Sequence, residues 1–268
     1  DGKSKIERKV ENINPEAYEF YLKANHTYNR RKNTDDVEKT RGLLHKAIEL
    51  DDNSIFAKNL LGRIYVESGD IDTAMGIYLT TLKQAELIDY KPEIRDCFTN
   101  IGIAYQQRSI IQQSESDLNI ALDYHKKALA LASEIGNING KSVSFGNIGT
   151  IYSLKGNLDK ALDYLQKSLE IDKKTGTKLG LMASIGNIGI LYSRKGDYDK
   201  ALEYHNKVLP IQKDISNKRG MGITFHNIGS VYKTKGYYYK AMDYYKKSLS
   251  IRVDIGEKPS LANILCNI

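Results

Sequence analysis

The sequence predicts an all-α solenoid, a stack of helical hairpins each about 40 residues long. The prediction starts from a repeated triplet. Asn147-Ile148-Gly149 returns as Asn187-Ile188-Gly189 and as Asn227-Ile228-Gly229, each 40 residues on, and Asn267-Ile268 opens another copy. Other positions keep the same phase: Tyr152, Tyr192 and Tyr232; Gly156, Gly196 and Gly236; Ala161, Ala201 and Ala241. Within one copy, apolar residues recur three and four apart, at Phe145, Ile148 and Tyr152, then at Leu158, Ala161, Leu162, Leu165 and Leu169. That spacing puts each set on one face of a helix. A fixed period of this size marks an array in which each hairpin buries its apolar face against its neighbours.

In chain order, residues 1–14 read as a basic linker carrying Lys3, Lys5, Arg8 and Lys9. Asn14-Pro15-Glu16 then signals a helix start, with a capping amide, proline at the first helical position and an acid near the positive helix end. Pro92-Glu93 and Pro259 repeat that punctuation. Six hairpins are expected at 15–52, 53–90, 91–137, 138–177, 178–217 and 218–257, with the first helix of a truncated seventh repeat at 258–268. The first repeat is degenerate, with extra residues around Asn33 to Asp36. In the third, Ala121 comes seven residues late, about two helical turns, which predicts a longer hairpin projecting near 106–118. Gly136, Gly176 and Gly256 sit where second helices end, as left-handed terminators would. Ser216 takes that place in the fifth repeat and predicts a looser exit, while Pro210 predicts a break or kink in the helix before it.

Composition narrows the class. Of 268 residues, 41% are hydrophobic, enough for a continuous core. No run approaches the roughly 18 apolar residues of a membrane span, and no signal-peptide pattern opens the chain. The chain begins without Met and ends inside a repeat, so it reads as a piece of a longer protein. Cys97 and Cys266 lie far apart with no metal-ligand spacing around them, and read as reduced thiols of a cytoplasmic protein. The net charge of +7 has a local origin. Lys126-Lys127, Lys167, Lys207 and Lys246-Lys247, with Lys160, Lys200 and Lys240, recur on second helices and read as a solvated outer face. No nucleic-acid motif accompanies them, so nucleic acid is not an expected partner.

These residues resemble the tetratricopeptide repeat: a large residue, then Leu-Gly, then Tyr in the first helix, and a small residue followed by an aromatic in the second. Phe145, Ile148, Gly149, Tyr152, Ala161 and Leu165 carry the match in the fourth repeat, and Phe225, Ile228, Gly229, Tyr232, Ala241 and Tyr245 in the sixth. The period is 40 where the common repeat has 34, as in Leu-Gly-Asn-repeat scaffolds, kinesin light chain and bacterial signalling proteins. The stretch Asn14–Lys23 is similar to the start of repeat regions attached to bacterial nucleotide cyclases. The resemblance implies a right-handed superhelix, a non-catalytic interaction module, and a concave groove lined by first helices.

Lining that groove would be a second stripe on the first helices: Asp96, Asn100, Ile103 and Gln107; Val143, Asn147, Thr150 and Leu154; Ala183, Asn187, Ile190 and Arg194; Ile223, Asn227, Ser230 and Thr234. The asparagines would form a ladder, with Asn267 as its next rung. An amide offers both donor and acceptor and so can hold peptide backbone whatever the side chains; it can equally tie adjacent helices together. Arg194, Lys233 and His226 would favour a carboxylate on the partner.

No glycine-rich phosphate loop, zinc spacing or nucleophile elbow is present, so no cofactor, metal or catalytic residue is expected. His125 and His205, in the slot held by Leu165 and Tyr245, read as half-buried packing residues. The expected function is a scaffold binding a peptide or partner helix. Two alternatives stand beside it: the regulatory arm of a bacterial signalling enzyme whose catalytic domain lies outside this chain, and a structural array that forms a homodimer through exposed repeat ends or Tyr237–Tyr245.

Overall fold

The computed structural model describes residues 14–30 and 34–255. The linker, Pro259, Gly256, Cys266, the Asn267 rung and the expected helix at 258–268 lie outside the described residues. Those residues form twelve α-helices and no strand: α1 Pro15–Arg30, α2 Thr34–Leu50, α3 Ile55–Ser68, α4 Ile71–Leu87, α5 Lys91–Gln112, α6 Glu115–Glu134, α7 Ile138–Leu154, α8 Leu158–Thr175, α9 Lys178–Lys195, α10 Tyr198–Asp214, α11 Lys218–Thr234 and α12 Tyr238–Asp254. They group into two compact bodies, α1–α6 and α7–α12, each a set of three helical hairpins.

Helix ends follow the sequence signals. Asn14 Oδ1 accepts from the backbone N–H of Glu16 (3.0 Å) and Ala17 (3.2 Å), while its Nδ2 donates to the Leu50 carbonyl at 3.1 Å, tying α1 to the end of α2. Asn157 and Asp197 cap α8 and α10 by accepting from the N–H of Lys160 and Lys200. Asp199, the other acid of that turn, instead pairs with Lys235 at 2.5 Å, as Asp159 pairs with Lys195 at 2.7 Å.

Two local expectations are corrected. Helix α10 runs through Pro210 to Asp214, so the expected break is absent. Ser216 does not loosen the exit: it adopts the left-handed conformation at φ 55°, and Asn217 N–H still closes on the Gln212 carbonyl at 2.8 Å. The hydrogen bonds match those at Gly136, where Asn137 N–H reaches the Ala132 carbonyl at 2.8 Å. In the third hairpin, α5 and α6 span 22 and 20 residues, against 14 to 18 in the other helices. The Arg108 guanidinium clamps the Asp117 carboxylate with two bonds of 2.8 Å across their junction.

Each body has its own core. In the N-terminal body, Ala24, Tyr28, Leu44, Ala47 and Leu61 form one cluster, and Ala74, Tyr78, Cys97 and Ile101 another. In the C-terminal body, Ala161, Leu165, Ile188 and Leu191 are packed over by Tyr152, Tyr192 and Tyr204. The repeated lysines are less free than a solvated face implies. Tyr152 stacks on Tyr164 (5.5 Å between ring centroids), with Lys160 over the first ring and Lys167 over the second. The same four-member sandwich recurs at Tyr192/Tyr204 with Lys200 and Lys207, and at Tyr232/Tyr244 with Lys240 and Lys247. Cation–ring contact adds about 0.5–1 kcal/mol at exposed sites, so these lysines brace the hairpins as well as carry charge.

Candidate functional site

In the C-terminal body the first helices α7, α9 and α11 present one lane of residues at matching positions. At its rim Val143, Ala183 and Ile223 are exposed, Val143 and Ile223 by 49% and 46%. One turn on come Asn147, Asn187 and Asn227, all half-buried; then Thr150, Ile190 and Ser230; then Leu154, Arg194 and Thr234. Val143 and Ile223 thus expose apolar side chains at the same phase of their helices, with the smaller Ala183 at that phase on α9.

Thr150, Leu154, Asn187, Ile190 and Arg194, together with Ser153 and Leu165, line a shallow pocket of about 60 Å3 between α7 and α9. The Arg194 guanidinium donates to the Ser153 carbonyl at 3.2 Å, which fixes it across the pocket mouth. The hydroxyls of Thr150 and Thr234 turn back onto the carbonyls of Gly146 and Ser230. Ser230 Oγ accepts from the Tyr245 hydroxyl at 3.2 Å. The amides behave differently. Among the described residues the side chains of Asn147, Asn187 and Asn227 make no hydrogen bond, and Nδ2 of Asn147 is buried without an acceptor. A buried donor left unpaired costs about 1–3 kcal/mol.

Charge in the lane comes from Arg194 and Lys233, both exposed. His226 contributes less than expected: its ring packs on Tyr245 at 5.3 Å, and burial, then the nearby Arg252 charge, hold its pKa down. Asn100 belongs to the other body and is engaged there, its Nδ2 donating to Asn59 Oδ1 at 3.4 Å. Ile103 and Gln107 are half-buried beside it. The stripe therefore divides into a partnered stretch in the N-terminal body and an unpartnered one in the C-terminal body.

The N-terminal face also holds groups that the repeat pattern did not single out. Asn59 Nδ2 donates to Glu93 Oε2 at 3.0 Å, and Cys97 Sγ lies 3.7 Å from Asn59 Oδ1. Glu93 is the acid of the first turn of α5, as read from sequence, but it is buried, and that burial, then the charge of Asp96, pushes its pKa up to about 7. Burial also pushes the Cys97 thiol up to about 12, which leaves it unreactive. His125 and His205 are deeper than expected, wholly enclosed, and burial lowers both to about 4. Among the described residues, no helix is long and apolar enough to cross a membrane.

The comparisons agree with this architecture. The sequence profile of the tetratricopeptide repeat matches residues 108–174, 142–214 and 180–254. The chain belongs to the tetratricopeptide repeat family. Proteins of this fold are generally non-catalytic scaffolds for protein interaction. BBSome complex member BBS4 of Bos taurus is 29% identical over 106 residues, covering 38% of this chain and 19% of that one, so the chain spans about a fifth of that curated relative. Among solved structures, BtubC (BKLC) from P. vanneervenii superposes with a TM-score of 0.59 at 18% identity, over 90% of this chain and 93% of that one. A STAND signal transduction ATPase with a tetratricopeptide repeat sensor, PH0952 from Pyrococcus horikoshii, superposes with a TM-score of 0.58 at 22% identity, over 80% of this chain and 33% of that one. At these identities the likeness is one of fold.

Proposed function

We propose that this protein is an interaction scaffold whose C-terminal body holds an extended or helical segment of a partner protein along α7, α9 and α11. The observation that carries the reading is the row of unpartnered amides at Asn147, Asn187 and Asn227, with a buried Nδ2 at Asn147. Amides held at a fixed spacing beside an apolar rim can bond a partner's backbone. Val143 and Ile223 take its side chains, and the pocket at Ile190 takes a small one. Arg194 and Lys233 favour a carboxylate near the end of the lane. The binding lane spans three of the six repeats we infer, 138–177, 178–217 and 218–257.

A photo-crosslinking residue in place of Ile190, used in the native lysate, tests this. Wild-type lane residues should trap a defined segment of one protein, and an Asn147→Ala/Asn187→Ala/Asn227→Ala background with unchanged circular dichroism should lose it. Equal trapping in both backgrounds would assign the asparagines to structure alone.

A further inference from the structure

The face that α1, α3 and α5 form in the N-terminal body has the opposite character. Three rings close on one another there: Tyr18 and Tyr21 at 5.7 Å, Tyr21 and Phe56 at 5.8 Å, Tyr18 and Phe56 at 6.3 Å between centroids. Tyr18 is exposed, and Tyr21 and Phe56 half-buried. One turn beyond Phe56, Asn59 holds Glu93, and Asp96 lies one turn beyond Glu93 on α5. Burial, then Tyr18, then the Glu93 charge raise the Tyr21 hydroxyl's pKa; Arg63 opposes them and Asp96 adds to them.

Glu93 is the feature that calls for a partner. It is 6% exposed, and its side chain's only hydrogen bond among the described residues is the one Oε2 accepts from Asn59; Oε1 accepts none. No described Lys or Arg forms an ion pair with it, although the Arg95 charge lies near enough to oppose the rise in its pKa. Arg95 is bound to Asp96 at 2.5 Å, Arg63 to the Tyr28 hydroxyl at 3.0 Å, and Lys58 to Asp52 at 2.8 Å. Glu93 and Asp96 thus share one resident guanidinium, that of Arg95, and a buried carboxylate with no cation bonded to it is costly. A free oxygen beside a ring cluster is what a cation with an apolar stem would complete.

We propose that this face is a receptor for an arginine side chain carried by a partner protein. The guanidinium meets Glu93 Oε1 and the Asp96 oxygen that Arg95 leaves free, and its methylene stem lies on Tyr21 and Phe56. Arginine fits better than lysine because a flat guanidinium both stacks on rings and forks onto carboxylates. The proposal rests on the N-terminal body alone and stands or falls apart from the amide lane.

The test titrates the whole 15N-labelled chain with an acetylated, amidated Gly-Ser-Arg-Ser-Gly peptide, and with its Gln counterpart, while amide shifts are followed. Saturable shifts confined to α1, α3 and α5 are expected with the Arg peptide and not with the Gln peptide. Glu93→Gln, which keeps the Asn59 bond, should weaken binding at least tenfold, as should the exposed-side change Asp96→Asn; Asn187→Ala should leave it unchanged. No saturable shift, or unaltered affinity in both acid variants, overturns the proposal. Binding seen only after deletion of residues 1–13 would assign the face to the chain's own Lys3, Lys5, Arg8 and Lys9, and would overturn the partner assignment.

Discussion

A Cβ built on Gly149 would stand 2.8 Å from Cγ of Leu165 and 3.1 Å from the Ala161 carbonyl. The two helices of the hairpin meet there with no room for a methyl group. The same contact recurs between Gly102 and His125 at 2.6 Å, Gly189 and His205 at 2.8 Å, and Gly229 and Tyr245 at 2.8 Å. The conserved phase of this small–large pair along the chain is therefore a packing rule. Gly149→Ala should cost about 1–3 kcal/mol in chemical denaturation, the usual penalty of overpacking. Gly76→Ala is the control: nothing lies within 4 Å of its Cβ, so relief of backbone entropy should make it neutral to stabilising by about 0.5–1 kcal/mol.

His205 fills with an imidazole the slot that Leu165 fills with an isobutyl group, and its Nε2 has no partner. His205→Leu should therefore be neutral or stabilising by about 1 kcal/mol at pH 8, because an unpaired polar atom leaves the core. At lower pH the effect should grow. The folded pKa is about 4 against an ordinary 6.5, so the unfolded chain takes up the proton first. Stability is full above 6.5 and is lost as pH falls toward 4, by up to about 3 kcal/mol for such a shift. Denaturation midpoints of wild type and His205→Leu should separate progressively from pH 7 to pH 4.5. Parallel curves would refute the assignment.

Much of this was legible in the sequence because the repeat fixes phase. The phase of Gly149, Ala161 and Leu165 follows from residues recurring at period 40, and the cap at Asn14 from Asn14-Pro15-Glu16. What escaped lies where side chains cross between repeats that have diverged. Glu93 stands beside Pro92 in the first turn of its helix, as read; its burial against Asn59, 34 residues away, is what the local sequence does not show. The difference between Asn100, tied to Asn59, and Asn147, left free, was invisible for the same reason: Asn59 stands one position out of phase with the ladder. The Tyr–Tyr stacks were readable in principle, since Tyr124, Tyr164, Tyr204 and Tyr244 recur one residue before the slot of His125.

Ser216 holds a left-handed backbone that glycine adopts without strain. Its hydrogen bonds already match those at Gly136, so Ser216→Gly changes only that strain. Stabilisation of about 1 kcal/mol is expected by thermal denaturation. A destabilised variant would show that the serine side chain contributes more than its backbone costs.

Glu93 sets a pH dependence of opposite sign. Its folded pKa of about 7 lies above the ordinary 4.5, so the folded chain holds the proton longer. The carboxyl's contribution is intact below 4.5 and is lost as pH rises through 7, by on the order of 3 kcal/mol. Glu93→Gln should thus be more stable than wild type at pH 8, with the gap closing toward pH 4.5. A gap independent of pH would place the carboxyl in water.

We read the free amides of α7, α9 and α11 as holding a partner's backbone. Calorimetric titration of the crosslinked partner segment, as a synthetic peptide, into wild type and into Asn147→Ala/Asn187→Ala/Asn227→Ala measures it directly. Three lost hydrogen bonds at about 1 kcal/mol each predict a loss of affinity of about a hundredfold. Equal affinity for both proteins, with both folded, would contradict the account.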